Sequence, residues 1–209
     1  MIRVNRNFAG AMEFTSFKKK EGVSDDELFQ GVNKLESVLA KQSGVIFHCL
    51  VRNLANSYAN VLFVDDPARL EVLTKELFDY PEAQEFLALI DMGSVQMKLH
   101  RILKKDFVVP EGFACVEHGT FRLKEGFGID ELINVSNAIE EHYLNKFENH
   151  LGHFVGQLDK DLVSEISIGK TYAKTKQECY GYYDIESGQA LMSMADLESM
   201  NLDFWYLMA

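Results

Sequence analysis

One stretch of the chain occurs twice, with residue i matching residue i+104. Ten of 24 consecutive positions are identical between residues 13–36 and residues 117–140, where average composition predicts roughly one or two identities. Each copy is therefore one structural module, and a repeat of this kind predicts two modules packed as an internal pseudo-dimer. The identical pairs include Glu13 with Glu117, Phe17 with Phe121, Lys20-Glu21-Gly22 with Lys124-Glu125-Gly126, and Glu36 with Glu140.

The composition argues against several kinds of partner. With 32 acidic and 21 basic residues the net charge is −11, whereas nucleic acids and anionic membranes are bound by clustered Lys and Arg. No run of about 18 apolar residues is present to span a membrane, and the N-terminal residues lack the apolar stretch of a signal peptide. The cysteines Cys49, Cys115 and Cys179 are too scattered for a disulfide framework or a zinc site. The sequence therefore predicts a cytoplasmic protein with no nucleic-acid or membrane partner.

Each copy has the pattern of two βαβ halves, in the order βαββαβ. Ser24 followed by Glu27 predicts a capped start of the first helix, and leucines and valines at helical spacing follow it. The short segment 104–112, with Pro110 and Gly112, is the best linker, so we expect domains at 1–108 and 109–209. The predicted strands are 12–20, 45–51, 58–64 and 95–103 in the first copy and 113–124, 151–158, 162–168 and 202–208 in the second, where residues 189–199 are predicted as helix.

A βαββαβ unit is a ferredoxin-like plait, in which two helices cover one face of a four-stranded antiparallel sheet. The other face stays bare unless something packs on it, and two copies in one chain can cover each other. The sequence thus predicts an α+β fold of two tandem ferredoxin-like repeats packed sheet to sheet as an intrachain pseudo-dimeric α/β barrel. A homo-oligomer is compatible with this arrangement.

The doubled βαββαβ order and the opening from Phe17 through Lys20-Glu21-Gly22 to the helix resemble the dimeric α/β-barrel superfamily, which includes the antibiotic-biosynthesis monooxygenases. The resemblance covers nearly the whole chain. It implies a protein that binds a small apolar or aromatic molecule and, if it is an enzyme, a cofactor-independent oxygenase of the quinol-monooxygenase type. In such an enzyme the substrate anion itself reduces oxygen.

Strand alternation predicts which side chains reach a cavity between the two sheets. His100 is the candidate general base, since a histidine near a carboxylate can deprotonate an acidic phenol or ketone. Trp205 is the candidate stacking wall. The other predicted ligand-binding residues are Glu165, Glu13, Glu117, Phe17, Phe63, Phe121, Lys98 and Asp203.

Two other hypotheses belong to different classes. In the first, the protein is a non-catalytic stress or assembly protein, and the interior polar groups only specify how the repeats dock. In the second it binds haem, as several relatives of this fold do, with His100, His142, His150 or His153 as axial ligand. The haem-degrading pattern has an Asn where this chain has Thr15 and Gly119, which weakens that hypothesis. No third ligand accompanies His150 and His153, so no metal site is expected.

Overall fold

The computed structural model describes residues 1–209, and the chain divides into two compact units. The first unit comprises residues 1–101 together with 207–209, and the second comprises residues 102–206. The boundary expected after residue 108 thus falls inside the second unit. Both units contain the predicted order βαββαβ, and in both the last helical segment is divided by a 3-10 turn.

The first unit is an antiparallel sheet covered on one face by helices. Its strands lie in the order β1-β3-β4-β2-β5. The core between this sheet and the helices contains Phe17, Leu35, Leu62 and Phe86. The elements are β1 (Ile2–Arg3), β2 (Ala11–Lys19), α1 (Asp25–Leu39), β3 (Val45–Arg52), β4 (Tyr58–Val64), α2 (Pro67–Glu76), a 3-10 turn (Leu77–Asp79), α3 (Pro81–Ala88) and β5 (Ile90–Ile102).

The second unit has the same plan. Its four antiparallel strands lie in the order β7-β8-β6-β9, and its core under the helices includes Phe121, Leu132, Val163 and Tyr182. The elements are β6 (Cys115–Leu123), α4 (Ile129–His142), a 3-10 turn (Leu144–Lys146), β7 (His150–Gln157), β8 (Leu162–Gly169), α5 (Tyr172–Tyr180), a 3-10 turn (Gly181–Asp184), α6 (Glu186–Met194) and β9 (Ala195–Leu207). The chain therefore has an α+β ferredoxin-like fold.

Helix α1 begins where the sequence predicts. The Ser24 side chain accepts a hydrogen bond from the Glu27 backbone N–H at 3.2 Å, and the Glu27 carboxylate accepts one from the Ser24 backbone N–H at 2.8 Å. This reciprocal capping box satisfies two donors that the first turn of a helix leaves unpaired. The face of α1 that packs on the sheet carries one acidic residue, Glu36, among its leucines and valines.

The predicted helix over 189–199 was wrong in its second half, because α6 ends at Met194 and β9 begins at Ala195. β5 likewise begins at Ile90, before the predicted start at 95. The first residues of β5 pair with β2, and those of β9 pair with β6, beyond a β-bulge in each pairing. The shift in register falls between Ser16 and Lys18 of β2 and between Thr120 and Arg122 of β6. A bulge adds an unpaired residue and shifts the alternation of side chains, so the strand pattern is interrupted there. No helix combines the length and apolar composition needed to cross a membrane.

Candidate active site in the first unit

The first unit contains a cavity of about 120 Å³ between the helices and the sheet. Strands β2, β3 and β4 form its floor, and the remainder of the wall comes from α1, α2, the following 3-10 turn, α3 and the start of β5. For scale, an apolar cavity of about 150 Å³ accommodates one benzene ring. The cavity therefore has room for about one aromatic ring. Its floor consists of Glu13, Thr15, Phe17, His48, Asn60 and Leu62.

The walls and mouth of this cavity are apolar. Leu35, Leu39 and Phe86 are buried in its wall. Three large apolar side chains at the cavity are well exposed to solvent, with exposed fractions of 53% for Phe78, 52% for Met92 and 44% for Met97. Neither lysine nor arginine lines the cavity. Such a site suits a ligand that is apolar over most of its surface and carries no negative charge.

A buried carboxyl group, that of Glu13, lies on the floor. Glu13 is 9% exposed, and its Oε1 accepts a hydrogen bond from the Thr15 hydroxyl at 2.7 Å. Burial raises the pKa of Glu13, and the Thr15 hydrogen bond and the nearby His48 reduce that rise. A carboxyl group with a raised pKa is a stronger base when it is ionised, so Glu13 can accept a proton from an acidic O–H or C–H of a bound molecule.

Next to this carboxyl group, three buried polar side chains form a hydrogen-bonded chain. His48 Nδ1 lies 2.9 Å from Glu36 Oε1, and His48 Nε2 lies 3.3 Å from Asn60 Oδ1. All three residues are less than 9% exposed. Since both ring nitrogens face oxygen atoms, the imidazole orientation is set by its neighbours and has no free nitrogen directed into the cavity. Helix α1 is thereby linked to the floor strands β3 and β4.

The second unit contains a corresponding group of buried polar side chains, with one more carboxyl group. His153 Nε2 lies 2.9 Å from Glu165 Oε1, and His153 Nδ1 lies 3.8 Å from Glu140 Oε2, which is an ion-pair distance rather than a hydrogen bond. The Lys104 amine donates to both oxygens of Glu140 at 2.6 Å. Where the first unit has the neutral Asn60, the second has Glu165, so two carboxylates surround one imidazole.

These contacts change the protonation of His153 and Glu140. Burial alone would lower the pKa of His153, but the two carboxylates outweigh it and raise that pKa to about 9. Burial acts to raise the pKa of Glu140, but His153 and Lys104 lower it to about 2. At neutral pH His153 is consequently an imidazolium ion between carboxylates, which is an arrangement suited to holding elements together.

The second unit has almost no cavity at the equivalent place. About 30 Å³ remains among Glu117, Glu165, Cys179 and Tyr182. Burial, followed by the charge of Glu165, raises the pKa of Glu117 to about 8. Because Glu117 is the repeat partner of Glu13, the two units retain the same buried carboxyl group, but only the first has space beside it.

The predicted site residues do not lie in one place. The strand parity assigned to Glu13, Glu117 and Glu165 was wrong, because all three face the helices of their own unit. Phe17 and Phe121 lie on the same helix-covered faces. The error has a physical cause: β2, β6 and β8 are buried along nearly their whole length, so no alternation of polar and apolar residues reveals which side faces the helices.

The remaining predicted residues lie on the opposite faces of the two sheets. In the first unit, Met12 pairs with both Phe63 and His100, and Phe14 pairs with Lys98, so these side chains share the face away from the helices. In the second unit, Trp205 pairs with Val116 and Asp203 with His118, again on the face away from the helices. Burial, with the charge of Lys98, lowers the pKa of His100 to about 3, so its imidazole is a weak base.

Sequence reasoning missed His48 and Asn60. A signal for the histidine was present, because His48 and His153 recur at a spacing of 105 residues, close to the repeat of 104, and each contacts a glutamate of the identical pair Glu36 and Glu140. No such signal was available for Asn60, since its counterpart is Glu165.

The cavity does not fit haem. A haem macrocycle is several times larger than the one ring that the cavity accommodates. His48 is the histidine that lines the cavity, and its two nitrogens are directed at Glu36 and Asn60. Of the other proposed axial ligands, His153 is bound by Glu165, and His100 lies on the opposite face of the sheet. No cluster of three or more His, Cys, Asp or Glu side chains is arranged to hold a metal ion.

Comparisons with known proteins identify the fold. No protein-family model matches the chain, and the search of curated proteins found no match. Among solved structures, a candidate monooxygenase of Fusobacterium nucleatum subsp. nucleatum is similar with a TM-score of 0.68 and 11% identity, over 97% of this chain and 94% of that one. An anthrone oxidase-like protein is similar with a TM-score of 0.61 and 13% identity, over 100% of this chain and 94% of that one.

A haem-binding protein of Thermus thermophilus is similar with a TM-score of 0.60 and 8% identity, over 99% of this chain and 94% of that one. The predicted resemblance to the monooxygenase-like ferredoxin-fold proteins is thus confirmed at the level of the fold. Because that fold carries both monooxygenase-like and haem-binding proteins, the function has to be argued from the residues of the site.

Proposed function

We propose that this protein binds a small aromatic molecule in the cavity of the first unit and oxidises it as a cofactor-independent monooxygenase. The observation that supports this proposal is the buried carboxyl group of Glu13 on the floor of a solvent-accessible apolar cavity. The monooxygenase-like relatives of the fold favour the same chemistry. The two repeats packed sheet to sheet and a cytoplasmic location are further parts of this proposal.

The substrate class follows from the lining of the cavity. One ring of a neutral phenol, hydroquinone or anthrone fits beside Glu13, and the rest of a larger molecule extends past Phe78, Met92 and Met97 at the mouth. A carboxylated or phosphorylated analogue is disfavoured, because the cavity has no cation to compensate its charge and Glu13 repels it.

The reaction needs one base and molecular oxygen. The carboxylate of Glu13 removes a proton from the acidic C–H or O–H of the substrate, which leaves a resonance-stabilised anion. That anion transfers one electron to oxygen, and the resulting substrate radical and superoxide combine to form a C–O bond. The peroxide anion takes the proton back from Glu13, and the hydroperoxide loses water as the C–O group becomes a ketone. For an anthrone the balance is R₂CH₂ + O₂ → R₂C=O + H₂O.

Oxygen uptake in the presence of anthrone tests this proposal. We expect one O₂ consumed per ketone formed, no release of hydrogen peroxide, and one ¹⁸O atom in the product when the gas is ¹⁸O₂. Anthrone in buffer without protein measures the uncatalysed oxidation. If neither anthrone nor a simple hydroquinone binds or is oxidised above that background, the site is structural, as in the hypothesis of a non-catalytic assembly protein.

Thr15→Val should shift the pH dependence of the reaction. Glu13 acts as a base only when ionised, so the rate is expected to rise with pH through its pKa. The Thr15 hydroxyl lowers that pKa, and its removal therefore moves the rising limb of the pH–rate profile to higher pH. The measurement is the rate of oxygen uptake as a function of pH. Ser16→Ala, at the next position of β2, is the matched control and should leave the profile unchanged; an unshifted limb in Thr15→Val would remove Glu13 as the titrating base.

A further inference from the structure

The cavity of the second unit is filled by a side chain of the protein itself. Tyr182 is 1% exposed and lies in the apolar core of the second unit. Its ring packs on that of Tyr143 in a T-shaped arrangement, with the ring centroids 5.8 Å apart. It also lines the small remaining space beside Glu117 and Glu165. Both glutamates occupy positions on strands β6 and β8 that correspond to Glu13 on β2 and Asn60 on β4.

The first unit leaves the same place open because its corresponding turn has the smaller Leu77 where the second unit has Tyr182. Leu77 and Tyr182 occupy the same place in their 3-10 turns, since each carbonyl accepts the hydrogen bond that closes the turn, from the N–H of Tyr80 and of Ile185. The residues that follow them, Phe78 and Tyr183, are both directed outward, with exposed fractions of 53% and 62%. Gly188 holds the second turn close to α6, since a Cβ atom at that position would lie 2.1 Å from the Tyr182 carbonyl oxygen. The larger ring of Tyr182 thus occupies the space that Leu77 leaves open in the first unit.

The phenol of Tyr182 has the surroundings that a phenolic ligand would have in the first unit. Its hydroxyl is buried and makes at most a weak hydrogen bond, to the Ser167 hydroxyl. After burial, the charges of Glu165 and Glu117 are the main causes that raise the pKa of this hydroxyl. A buried phenol thus lies near two carboxyl groups under the helices of the second unit.

We infer that the second unit contains a second binding site for small phenols, occupied by the Tyr182 side chain as an internal ligand. The identity of the ligand class rests on the proposed function, in which the first cavity takes a hydroxylated aromatic ring. Removing the Tyr182 side chain exposes the second site, and p-cresol, which is the tyrosine side chain as a free molecule, fills it.

Calorimetric titration with p-cresol tests this inference. We expect one binding site per chain in the unaltered protein and two in Tyr182→Ala. Tyr182→Phe is the matched control: it keeps the ring in place and removes only the hydroxyl, so it should retain one site. Toluene is the ligand control, and its affinity for the new site should be at least about tenfold weaker, since a free phenol can shift to hydrogen-bond the Ser167 hydroxyl or a glutamate and toluene cannot.

The outcomes separate this inference from the proposed function. One site in both the unaltered protein and Tyr182→Ala would overturn the inference and leave the first cavity as a ligand site. No site in the unaltered protein and one in Tyr182→Ala would uphold the second site and contradict the proposed function. If Tyr182→Ala does not fold by itself, the readout becomes its refolding yield: recovery with p-cresol but not with toluene supports the inference, and equal yields overturn it.

Discussion

Glu13→Gln is expected to abolish oxygen uptake while leaving ligand binding largely intact. The amide keeps the size and polarity of the carboxyl group and can still pair with the Thr15 hydroxyl, but it cannot accept a proton at any accessible pH. Loss of a general base typically lowers a rate by about 100- to 10,000-fold. The measurements are the kcat for oxygen uptake with anthrone and the Kd for p-cresol, which should change by less than about fivefold.

The second repeat supplies the matched control for this variant. Glu117 is the identical residue of the repeat and is also buried, but it lies beside a space of only about 30 Å³. Glu117→Gln should therefore leave the rate of oxygen uptake within about twofold of the unaltered protein. Equal losses in Glu13→Gln and Glu117→Gln would indicate a general structural effect and contradict a catalytic role for Glu13.

The second large effect is expected from His153→Leu, which should destabilise the fold. Removing the imidazolium leaves Glu165 buried without its hydrogen-bonded cation, and breaking a buried ion pair in this way costs about 3–5 kcal/mol. For a chain of this size the loss corresponds to a decrease in Tm of roughly 10 °C. Urea unfolding near pH 6 measures the change in the free energy of unfolding.

The destabilisation should shrink at high pH. The pKa of His153 is raised to about 9 in the folded protein, so its contribution is complete below the unfolded value near 6.5 and is lost as the pH rises through about 9. Unfolding at pH 6 and at pH 9.5 should therefore show a smaller difference between His153→Leu and the unaltered protein at the higher pH. A pH-independent difference would show that the imidazole contributes through packing alone.

His48→Leu is the matched variant in the first unit. His48 contacts one carboxylate and a neutral amide, so its removal leaves fewer buried charges without a partner than the removal of His153 does. We expect His48→Leu to cost about half as much stability, in line with the loss of hydrogen bonds to one charged group. A loss as large as that of His153→Leu would mean that the second carboxylate of the second unit has little energetic effect.

Much of the fold was predictable because local signals and the repeat agreed with each other. Ser24 and Glu27 predicted the start of α1, and the structure contains the reciprocal hydrogen bonds of a capping box there. Glu13 and Glu117, an identical pair of the repeat, were predicted to lie in the interior, and both are buried. The bulged starts of β5 and β9 were not predictable, since nothing local distinguishes a helix end followed by an irregular strand from a longer helix.

The site itself was predicted in part. Glu13 and Phe17 were included and do line the cavity, but His48 and Asn60 were missed, and His100 lies on the other face of the sheet. A one-residue change in parity moves every side chain of a strand to the opposite face, so one wrong assignment relocated the whole predicted pocket.

The amino-acid sequence alone determined the order of elements, the duplication and the buried acidic pair, because each depends on local propensity or on identity between the two copies. Only the tertiary structure decided which sheet face carries the carboxyl groups, since strands buried on both sides have no polar alternation to read. It also decided that a cavity of about 120 Å³ lies beside the buried Glu13 of the first unit while only about 30 Å³ remains beside Glu117 of the second. That difference accompanies the exchange of Leu77 in the first unit for Tyr182 in the second, because the larger ring fills the space beside Glu117 and Glu165.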